Sequence, residues 1–241
     1  MDIPKNNTEI LLAEPPFLSI QGEGKTTGKL SLFLRFFGCP VKCSFCDTEY
    51  SFKGTPLKVD KNLIIDDMLS KGKFKNIVFT GGEPLLYQDV MDNIIRSLDS
   101  QMQSVFTYEI ETSGSLRLNG DFLLSFLGNT SKRDRVLFNI SPKVFSLTEN
   151  IEALEYNVTK LKFFNIPFIF KFVDEVKNRD IIEFLVDKFK IPADLIYVMP
   201  ECKTREEHLE RFASTLEYCK GKGWNFSPRT HILLWDNKKG V

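Results

Sequence analysis

The sequence predicts an α/β fold built on a parallel sheet, either doubly wound or curved into an incomplete (β/α) barrel. Short apolar runs alternate with amphipathic stretches along almost all of the 241 residues, which is the pattern of parallel strands joined by crossover helices. Polar or glycine-rich segments follow the first four predicted strands, in the order GCPVKC, TGGEP, ETSG and SPK. Because the C-terminal ends of parallel strands meet at one face of such folds, we expect the functional site there.

Six apolar runs predict the strands of this sheet, and WNFSP, at residues 224–228, is a further candidate. The six runs are residues 30–37, 76–80, 105–111, 135–140, 167–173 and 195–199. Amphipathic stretches between them predict helices that turn one apolar face to the core. These faces are Val90, Met91, Ile94, Ile95 and Leu98; Ile151, Leu154, Val158 and Leu161; and Leu209, Phe212, Ala213, Leu216 and Cys219. No linker, repeat or low-complexity tract interrupts the pattern, so residues 1–241 are predicted to form a single domain.

The composition narrows the class of partner. Lys plus Arg and Asp plus Glu each number 32, so no net charge attracts nucleic acid or an acidic membrane, and we expect a small-molecule partner. The segment MDIPKNNTEI is unlike a secretion signal, and no run approaches the roughly twenty apolar residues of a membrane span. We therefore expect a cytoplasmic protein. Its two histidines exclude a His-rich metal site.

Three of the five cysteines, Cys39, Cys43 and Cys46, have the spacing C-x3-C-x2-C on the loop after the first predicted strand. In a reducing compartment, clustered thiols favour metal or redox chemistry over disulfides. Iron-sulfur clusters usually take four thiolates, and this loop offers three. We interpret the loop as the ligand set of a 4Fe-4S cluster with one iron open to a non-protein ligand. The alternatives are a zinc site completed by Cys202 or His231, and three unligated thiols.

The segment TGGEP follows the second predicted strand and contains Gly81 and Gly82. Two glycines at a strand end allow the backbone to approach a ligand closely, and exposed N–H and C=O groups can hold a charged amino-acid moiety. The alternative for these glycines is an ordinary turn.

The segment FLSIQGEGKTTG, at residues 17–28, places Gln21 and Glu23 between glycines. An amide and a carboxylate at fixed spacing suit a flat heterocycle with a guanidine-like edge, whereas a solvated surface turn is the alternative. Arg35 lies in an otherwise apolar strand and must be paired. It could clamp a substrate carboxylate or form an ion pair with an internal acid.

The cysteine loop, with Phe45 before its last cysteine, resembles the radical S-adenosylmethionine (SAM) superfamily. Within it, the chain resembles the 7-carboxy-7-deazaguanine synthase family through SIQGEG, FLRFFGC, CSFCDT, TGGEPLL, ETSG, SPK and SPRTHILLW. The resemblance implies an incomplete (β/α) barrel of about six parallel strands. It also implies a carbon-nitrogen lyase of queuosine biosynthesis, which converts 6-carboxy-5,6,7,8-tetrahydropterin to 7-carboxy-7-deazaguanine with loss of ammonia. In that family the open iron takes SAM, and one electron cleaves it to methionine and a 5'-deoxyadenosyl radical.

The resemblance also implies the roles of individual residues. Cys39, Cys43 and Cys46 would hold the cluster, and Thr48 would coordinate magnesium. The substrate would contact Ile20, Gln21, Gly22, Glu23, Arg35 and Thr80. SAM would contact Phe45, Cys46, Asp47, Gly82, Ser141, Pro142, Lys143, Met199, Pro200, Glu201 and Cys202. An electron donor such as flavodoxin and a homodimeric assembly are implied as well.

Two segments depart from the family pattern, and two other functions compete with it. The chain runs on after Thr230 and His231 as ILLWDNKKGV, and the loop MPEC lacks the usual Gln-Pro-rich form, so the roles of His231 and of residues 199–202 stay open. A radical SAM activase of a glycyl radical enzyme would share the cysteine loop and TGGEP without needing Gln21, Glu23 and Arg35. A non-catalytic zinc-binding module is the second alternative, and it would contain zinc in place of iron and sulfide.

Overall fold

The computed structural model describes residues 9–43, 46–101, 105–127, 130–143, 147–236 and 238–240. Ten strands form one sheet in the order β10-β9-β8-β7-β6-β5-β3-β1-β4, and β2 pairs with β3. In chain order the strands are β1 (Glu9–Leu12), β2 (Phe17–Ile20), β3 (Leu30–Phe36), β4 (Leu57–Asp60), β5 (Asn76–Gly81), β6 (Thr107–Thr112), β7 (Val136–Ile140), β8 (Phe168–Asp174), β9 (Ile196–Pro200) and β10 (Asn225–Phe226).

Six long strands, from β3 through β5 to β9, are parallel and lie side by side in chain order. A doubly wound sheet reverses its strand order at a switch point, whereas this sheet winds in one direction. Among the described residues its strand order runs from β10 to β4 without closing on itself. The predicted incomplete barrel of six parallel strands is therefore confirmed, and each predicted strand matches an observed one within two residues.

Three strands were not predicted, namely β1, β2 and β4, and all three pair antiparallel at one side of the sheet. Each has four residues, which is too short for a period of two to be distinguished from chance. Strand β2 pairs with β3 in the register Phe17 with Phe33 and Ile20 with Leu30. This register places the QGEG segment, which follows Ile20, beside the N-terminal end of β3, where the Gln21 N–H donates to Lys29 O at 2.8 Å.

Nine α-helices occur in the described part of the chain. They are α1 (Tyr50–Lys53), α2 (Lys61–Ser70), α3 (Gln88–Gln101), α4 (Gly120–Leu124), α5 (Thr130–Arg133), α6 (Leu147–Phe163), α7 (Arg179–Phe189), α8 (Arg205–Lys222) and α9 (Thr230–Trp235). The predicted faces of α3 and α6 are largely buried, as the burial of Ile94, Leu98, Leu154 and Leu161 shows. None of these described helices has the length and apolar character to cross a membrane.

The predicted core face of α8 is partly wrong. Leu209 is 61% exposed and Ala213 is exposed, whereas His208, Thr215 and Cys219 are buried. Thr215 Oγ1 donates to Asp174 Oδ2 at 2.8 Å. The His208 ring bonds a backbone carbonyl through Nε2, whereas its buried Nδ1 has no partner among the described residues. A helix face that buries polar groups is invisible to a search for apolar periodicity.

The two faces of the parallel sheet differ in chemistry because successive side chains in a strand point to opposite sides. The outer face packs Phe36, Phe79, Tyr108, Phe138 and Phe170 against the helices in the hydrophobic core. The inner face carries apolar residues such as Phe33, Val78 and Ile169 together with eight polar ones: Ser31, Arg35, Asn76, Thr80, Glu109, Glu111, Asn139 and Lys171. The barrel interior is therefore built to hold polar groups.

Candidate active site

A cavity of about 240 Å³ opens at the C-terminal ends of the parallel strands. Most of the predicted site residues line it: Ile20, Gln21, Gly22, Glu23, Arg35, Cys39, Cys43, Cys46, Asp47, Thr48, Thr80, Gly82, Ser141, Lys143, Met199, Glu201 and Cys202. Pro142 and Pro200 are not among the lining residues, and Phe45 lies outside the described residues. Residues that are distant in sequence thus converge on one space.

The cysteine loop, residues 38–48, follows β3 and directs Cys39, Cys43 and Cys46 to this cavity. Burial raises the pKa of the Cys39 thiol and raises the pKa of the Cys43 thiol to about 11. The Cys39 and Cys43 thiols are therefore protonated at neutral pH without a metal, and metal binding must displace their protons.

The donor chemistry of the three thiols tests which metal group they fit. All three line one cavity, and thiolates are soft ligands that suit iron-sulfur clusters as well as zinc. Since the thiolates of an iron-sulfur cluster bind different irons, these three residues fit a 4Fe-4S cluster held through three of its irons.

The glycines of TGGEP are required by close backbone packing. The Gly82 N–H donates to Phe36 O at 3.1 Å and the Glu83 N–H donates to Gly38 O at 2.8 Å. A Cβ on Gly82 would clash with the carbonyl of Gly38, and Gly81 has a φ of +140° and faces Phe36 backbone. These contacts hold the turn at the start of the cysteine loop and leave the Gly82 backbone at the cavity wall.

Five charged side chains, Glu23, Asp47, Glu111, Lys171 and Arg229, form an ion-pair cluster along one wall of the cavity. Lys171 Nζ lies 2.6 Å from Glu23 Oε2 and 3.1 Å from Glu111 Oε1. Arg229 Nε lies 2.9 Å from Glu23 Oε1, and its Nη2 pairs with Asp47 Oδ2. The two cations therefore hold three carboxylates in fixed positions.

Burial and these cations have opposite effects on Glu23. Burial alone would raise its pKa, but Lys171 and Arg229 hold the pKa well below the usual range. Burial lowers the pKa of His231, whose Nε2 lies 3.7 Å from Glu23 Oε1. Glu23 is thus an anion and His231 is neutral at neutral pH.

Gln21 is buried, and its side-chain amide bonds protein groups on both sides. Its Nε2 donates to Glu109 Oε2 at 3.2 Å and to Glu111 Oε1 at 3.3 Å, and its Oε1 accepts from the Glu23 N–H at 3.2 Å. An amide nitrogen has two hydrogens, and both have acceptors here. The Gln21 side chain therefore supports the wall of the cavity.

Arg35 forms the ion pair that the sequence left as an alternative. Its Nε lies 2.6 Å from Glu14 Oε1, which also accepts from the Tyr50 hydroxyl at 2.8 Å. The guanidinium still lines the cavity. Among the described residues, this guanidinium donates a hydrogen bond only through Nε, so its Nη edge suits a second carboxylate.

Four residues of the site were not singled out from the sequence: Glu14, Glu111, Lys171 and Arg229. Lys171 lies in the apolar run PFIFKFV, which is the same signal that drew attention to Arg35. Glu111 and Arg229 lie inside segments that were quoted as motifs, ETSG and SPRTHILLW. A charged residue within a buried strand or a motif could therefore have pointed to Lys171, Glu111 and Arg229 as site residues.

Glu23, Asp47 and His231 lie close enough together to hold a metal ion, with their ligand atoms within 4.8 Å of one another. Both carboxylates are already paired with Arg229, and Glu23 is paired with Lys171 as well. We therefore interpret the group as part of the ion-pair cluster. Thr48 lines the cavity beside it and offers one hydroxyl, which fits Mg²⁺ only if water and substrate supply the other oxygens.

The chain is similar in sequence to known proteins over most of its length. Residues 34–140 match the radical SAM superfamily. The chain is 31% identical over 237 residues to a 7-carboxy-7-deazaguanine synthase of Clostridium acetobutylicum, covering 93% of this chain and 96% of that protein. It is 29% identical over 229 residues to a 7-carboxy-7-deazaguanine synthase of Pyrobaculum aerophilum, covering 93% and 94%.

The fold agrees as well. The crystal structure of QueE from Escherichia coli matches with a TM-score of 0.66 at 18% identity, over 90% of this chain and 92% of that chain. At this identity the match shows a shared fold, and the sequence relatives identify the family. The chain belongs to the 7-carboxy-7-deazaguanine synthase family of the radical SAM superfamily.

Proposed function

We propose that the cavity binds SAM beside 6-carboxy-5,6,7,8-tetrahydropterin and is the site of the ring contraction. The protein is a 7-carboxy-7-deazaguanine synthase, a radical SAM carbon-nitrogen lyase of queuosine biosynthesis. One observation supports placing SAM and the pterin in this cavity: the three thiols line the same cavity as Arg35 and the ion-pair cluster. When bound to those thiols, the 4Fe-4S cluster supplies the electron that cleaves SAM to methionine and a 5'-deoxyadenosyl radical.

We assign the SAM side of the cavity to the cysteine loop and to the loops after β5, β7 and β9. The Gly82 backbone, the Asp47 carboxylate and the Ser141 hydroxyl line this side and can bind the amino-acid and ribose groups. The remaining assigned residues are Phe45, Cys46, Pro142, Lys143, Met199, Pro200, Glu201 and Cys202.

We assign the substrate side to Ile20, Gly22, Glu23, Arg35 and Thr80. The Nη edge of Arg35 would bind the pterin carboxylate while its Nε keeps the bond to Glu14. Glu23, held by its cations, would accept N–H groups of the guanidine-like edge. Gln21, whose amide is committed to Glu109 and Glu111, would act by orienting this wall.

Magnesium would bind at Thr48 and the substrate. One neutral hydroxyl replaces little of the ion's hydration shell, so the ion would bind weakly until the pterin supplies further oxygens. It would orient the substrate and stabilise charge during rearrangement.

The remaining proposals concern the setting of the enzyme. Clustered thiols that must stay reduced support a cytoplasmic location. The reaction needs a one-electron donor such as flavodoxin, and family resemblance supports a homodimer built from a single-domain chain. Light scattering after size-exclusion chromatography tests the dimer, and reduction of the cluster by flavodoxin tests the donor.

The deciding experiment is anaerobic turnover of the protein with its cluster reconstituted. With SAM, a reductant and 6-carboxy-5,6,7,8-tetrahydropterin, we expect 7-carboxy-7-deazaguanine and ammonia in equal amounts. SAM cleavage without that product would favour the activase. Zinc in place of iron and sulfide in anaerobically purified protein would favour the zinc-binding module.

A further inference from the structure

Arg229 is a buried arginine that bonds three separate loops. Its side chain is 6% exposed, which is rare for arginine. Nε donates to Glu23 Oε1 at 2.9 Å, Nη2 donates to Asp47 Oδ2, and Nη1 donates to the Cys202 carbonyl oxygen. One guanidinium thus connects the QGEG loop (residues 21–24), the cysteine loop and the loop after β9.

The backbone around Arg229 is held in an unusual conformation. Its φ is 48°, in the left-handed region that costs a non-glycine residue about 1 kcal/mol or more. Neighbouring bonds hold this turn: the Thr230 N–H donates to Gly22 O at 2.8 Å, and the Ser227 N–H donates to Val198 O at 2.8 Å. The Gly24 N–H also donates to Ser227 Oγ at 2.9 Å. The fold therefore maintains this conformation, in which the guanidinium reaches all three loops.

The two carboxylate partners of Arg229 are assigned above to different ligands. Glu23 lies on the side assigned to the substrate, and Asp47 lies on the side assigned to SAM. A planar guanidinium can bond two carboxylates with fixed geometry, so a shift of either carboxylate alters its bond to the other. Lys171 pairs with Glu23 and Glu111, and among the described residues it forms no ion pair with Asp47.

We propose that Arg229 is a positioning residue that couples the substrate side to the SAM side through Glu23 and Asp47. The proposal rests on the assignment of those two sides made above. Binding of the pterin fixes Glu23, Glu23 fixes the guanidinium, and the guanidinium fixes Asp47 in the cysteine loop. Since such coupling is reciprocal, the pterin should tighten SAM binding by the same factor by which SAM tightens pterin binding.

The test measures binding without turnover. Equilibrium dialysis of SAM against cluster-loaded, oxidised protein, with and without 6-carboxy-5,6,7,8-tetrahydropterin, gives the coupling factor directly. We expect the pterin to lower the Kd for SAM at least about fivefold in the wild type. Arg229→Lys keeps the charge and cannot bridge both carboxylates, so the pterin should change its Kd for SAM less than about twofold.

A matched control is available at the other end of the barrel. Arg135 binds both oxygens of Asp99 at 2.9 Å and does not line the cavity. Arg135→Lys should keep the wild-type coupling factor. Circular dichroism and iron content verify that each variant keeps its fold and cluster.

Each result bears on the proposal. Loss of coupling in Arg229→Lys with fold and cluster intact supports it, and retained coupling overturns it. If Arg229→Lys and Arg229→Gln both lose the fold or the cluster, Arg229 is structural and the proposal is overturned. A wild type that turns over the pterin without coupling overturns the proposal alone, whereas a wild type that neither binds nor converts the pterin overturns the proposed site as well.

Discussion

Two buried carboxylates on the inner side of the barrel, Glu23 and Glu109, are stabilised in opposite ways. Glu23 is 9% exposed and Glu109 is 1% exposed. Glu23 is paired with two full charges, Lys171 at 2.6 Å and Arg229 at 2.9 Å. It belongs to the ion-pair cluster that lines the cavity.

Glu109 is held by neutral amides. It accepts from Asn76 Nδ2 at 2.7 Å, Asn139 Nδ2 at 3.0 Å and Gln21 Nε2 at 3.2 Å. It precedes Glu111 by two residues on β6, so it shares the inner face one repeat deeper in the barrel. We call Asn76, Glu109 and Asn139 the amide floor.

The difference indicates that the ion-pair cluster serves ligand binding, whereas the amide floor supports the barrel. Neutral amide N–H groups donate to both oxygens of the Glu109 carboxylate. The residues of the amide floor do not line the cavity. In the ion-pair cluster, three carboxylates share two cations, so one negative charge remains for a ligand that brings N–H donors or a metal ion. Gln21 contacts both layers and connects them.

The largest effect should come from the cysteine loop, which borders the ion-pair cluster and not the floor. Cys39→Ala, Cys43→Ala or Cys46→Ala should abolish SAM cleavage because the cluster loses a ligand. Cys202→Ala and Cys219→Ala are the controls and should keep the iron content. Loss of iron in Cys202→Ala would show a fourth protein ligand, which would contradict an iron open to SAM.

The two carboxylates themselves should differ in the free energy of unfolding. Glu23→Gln leaves two buried cations with weakened partners and should destabilise the apoprotein by about 3–5 kcal/mol. Glu109→Gln turns one acceptor into a donor facing other donors and should destabilise it by about 1–3 kcal/mol. Urea unfolding measures both, and a larger loss in Glu109→Gln would reverse the comparison.

Arg35 tests whether a cavity ion pair serves binding or stability. Arg35→Lys should lower kcat/KM for the pterin by one to three powers of ten, at about 1.4 kcal/mol for each. SAM cleavage in the absence of pterin should persist. If the variant unfolds or loses its iron-sulfur cluster, the ion pair between Arg35 and Glu14 is structural, as the hydrogen bonds of the amide floor are.

Thr48 lies beside the ion-pair cluster, and its proposed role is to bind magnesium once the pterin is present. Magnesium should raise turnover of the wild type without changing the absorption spectrum of the cluster. Thr48→Ala should lose most of this response, and Thr48→Ser should keep it because it keeps the hydroxyl. Equal stimulation of the wild type and Thr48→Ala would place the ion elsewhere.

The smallest expected effect is on the pH dependence of unfolding in acid, to which Glu23 contributes. The folded pKa of Glu23 is lowered from 4.5, so its contribution to stability is fully present above about pH 4.5. It is lost as the pH falls through the lower, folded pKa. Unfolding of the apoprotein between pH 5 and pH 3 should therefore be less pH-dependent in Glu23→Gln than in the wild type. An unchanged slope would mean that the ion pairs of Glu23 contribute nothing to this acid dependence.

The sequence predicted the parallel barrel because six apolar strands and their helices repeat a clear pattern over most of the chain. It predicted the cysteine loop and TGGEP because their chemistry is local: three thiols within eight residues, and two glycines in a row. It did not predict the short antiparallel strands, which become recognisable only through pairing. The pairs of Lys171 and Arg229 were missed for the same reason, since their partners lie 148 and 206 residues away.

The contact between Gly22 and the segment that ends in His231 has a consequence for synthesis of the chain. A Cβ at Gly22 would clash with the His231 ring, and Arg229 reaches Glu23 across 206 residues of sequence. A ribosome that has just made the six parallel strands, the last of which ends at Pro200, has not yet synthesised Arg229. Until then Glu23 has Lys171 as a cation but lacks Arg229, and Asp47 lacks its guanidinium partner. The nascent barrel can therefore fold during translation, whereas the wall of its active site is completed only after residue 231 has emerged.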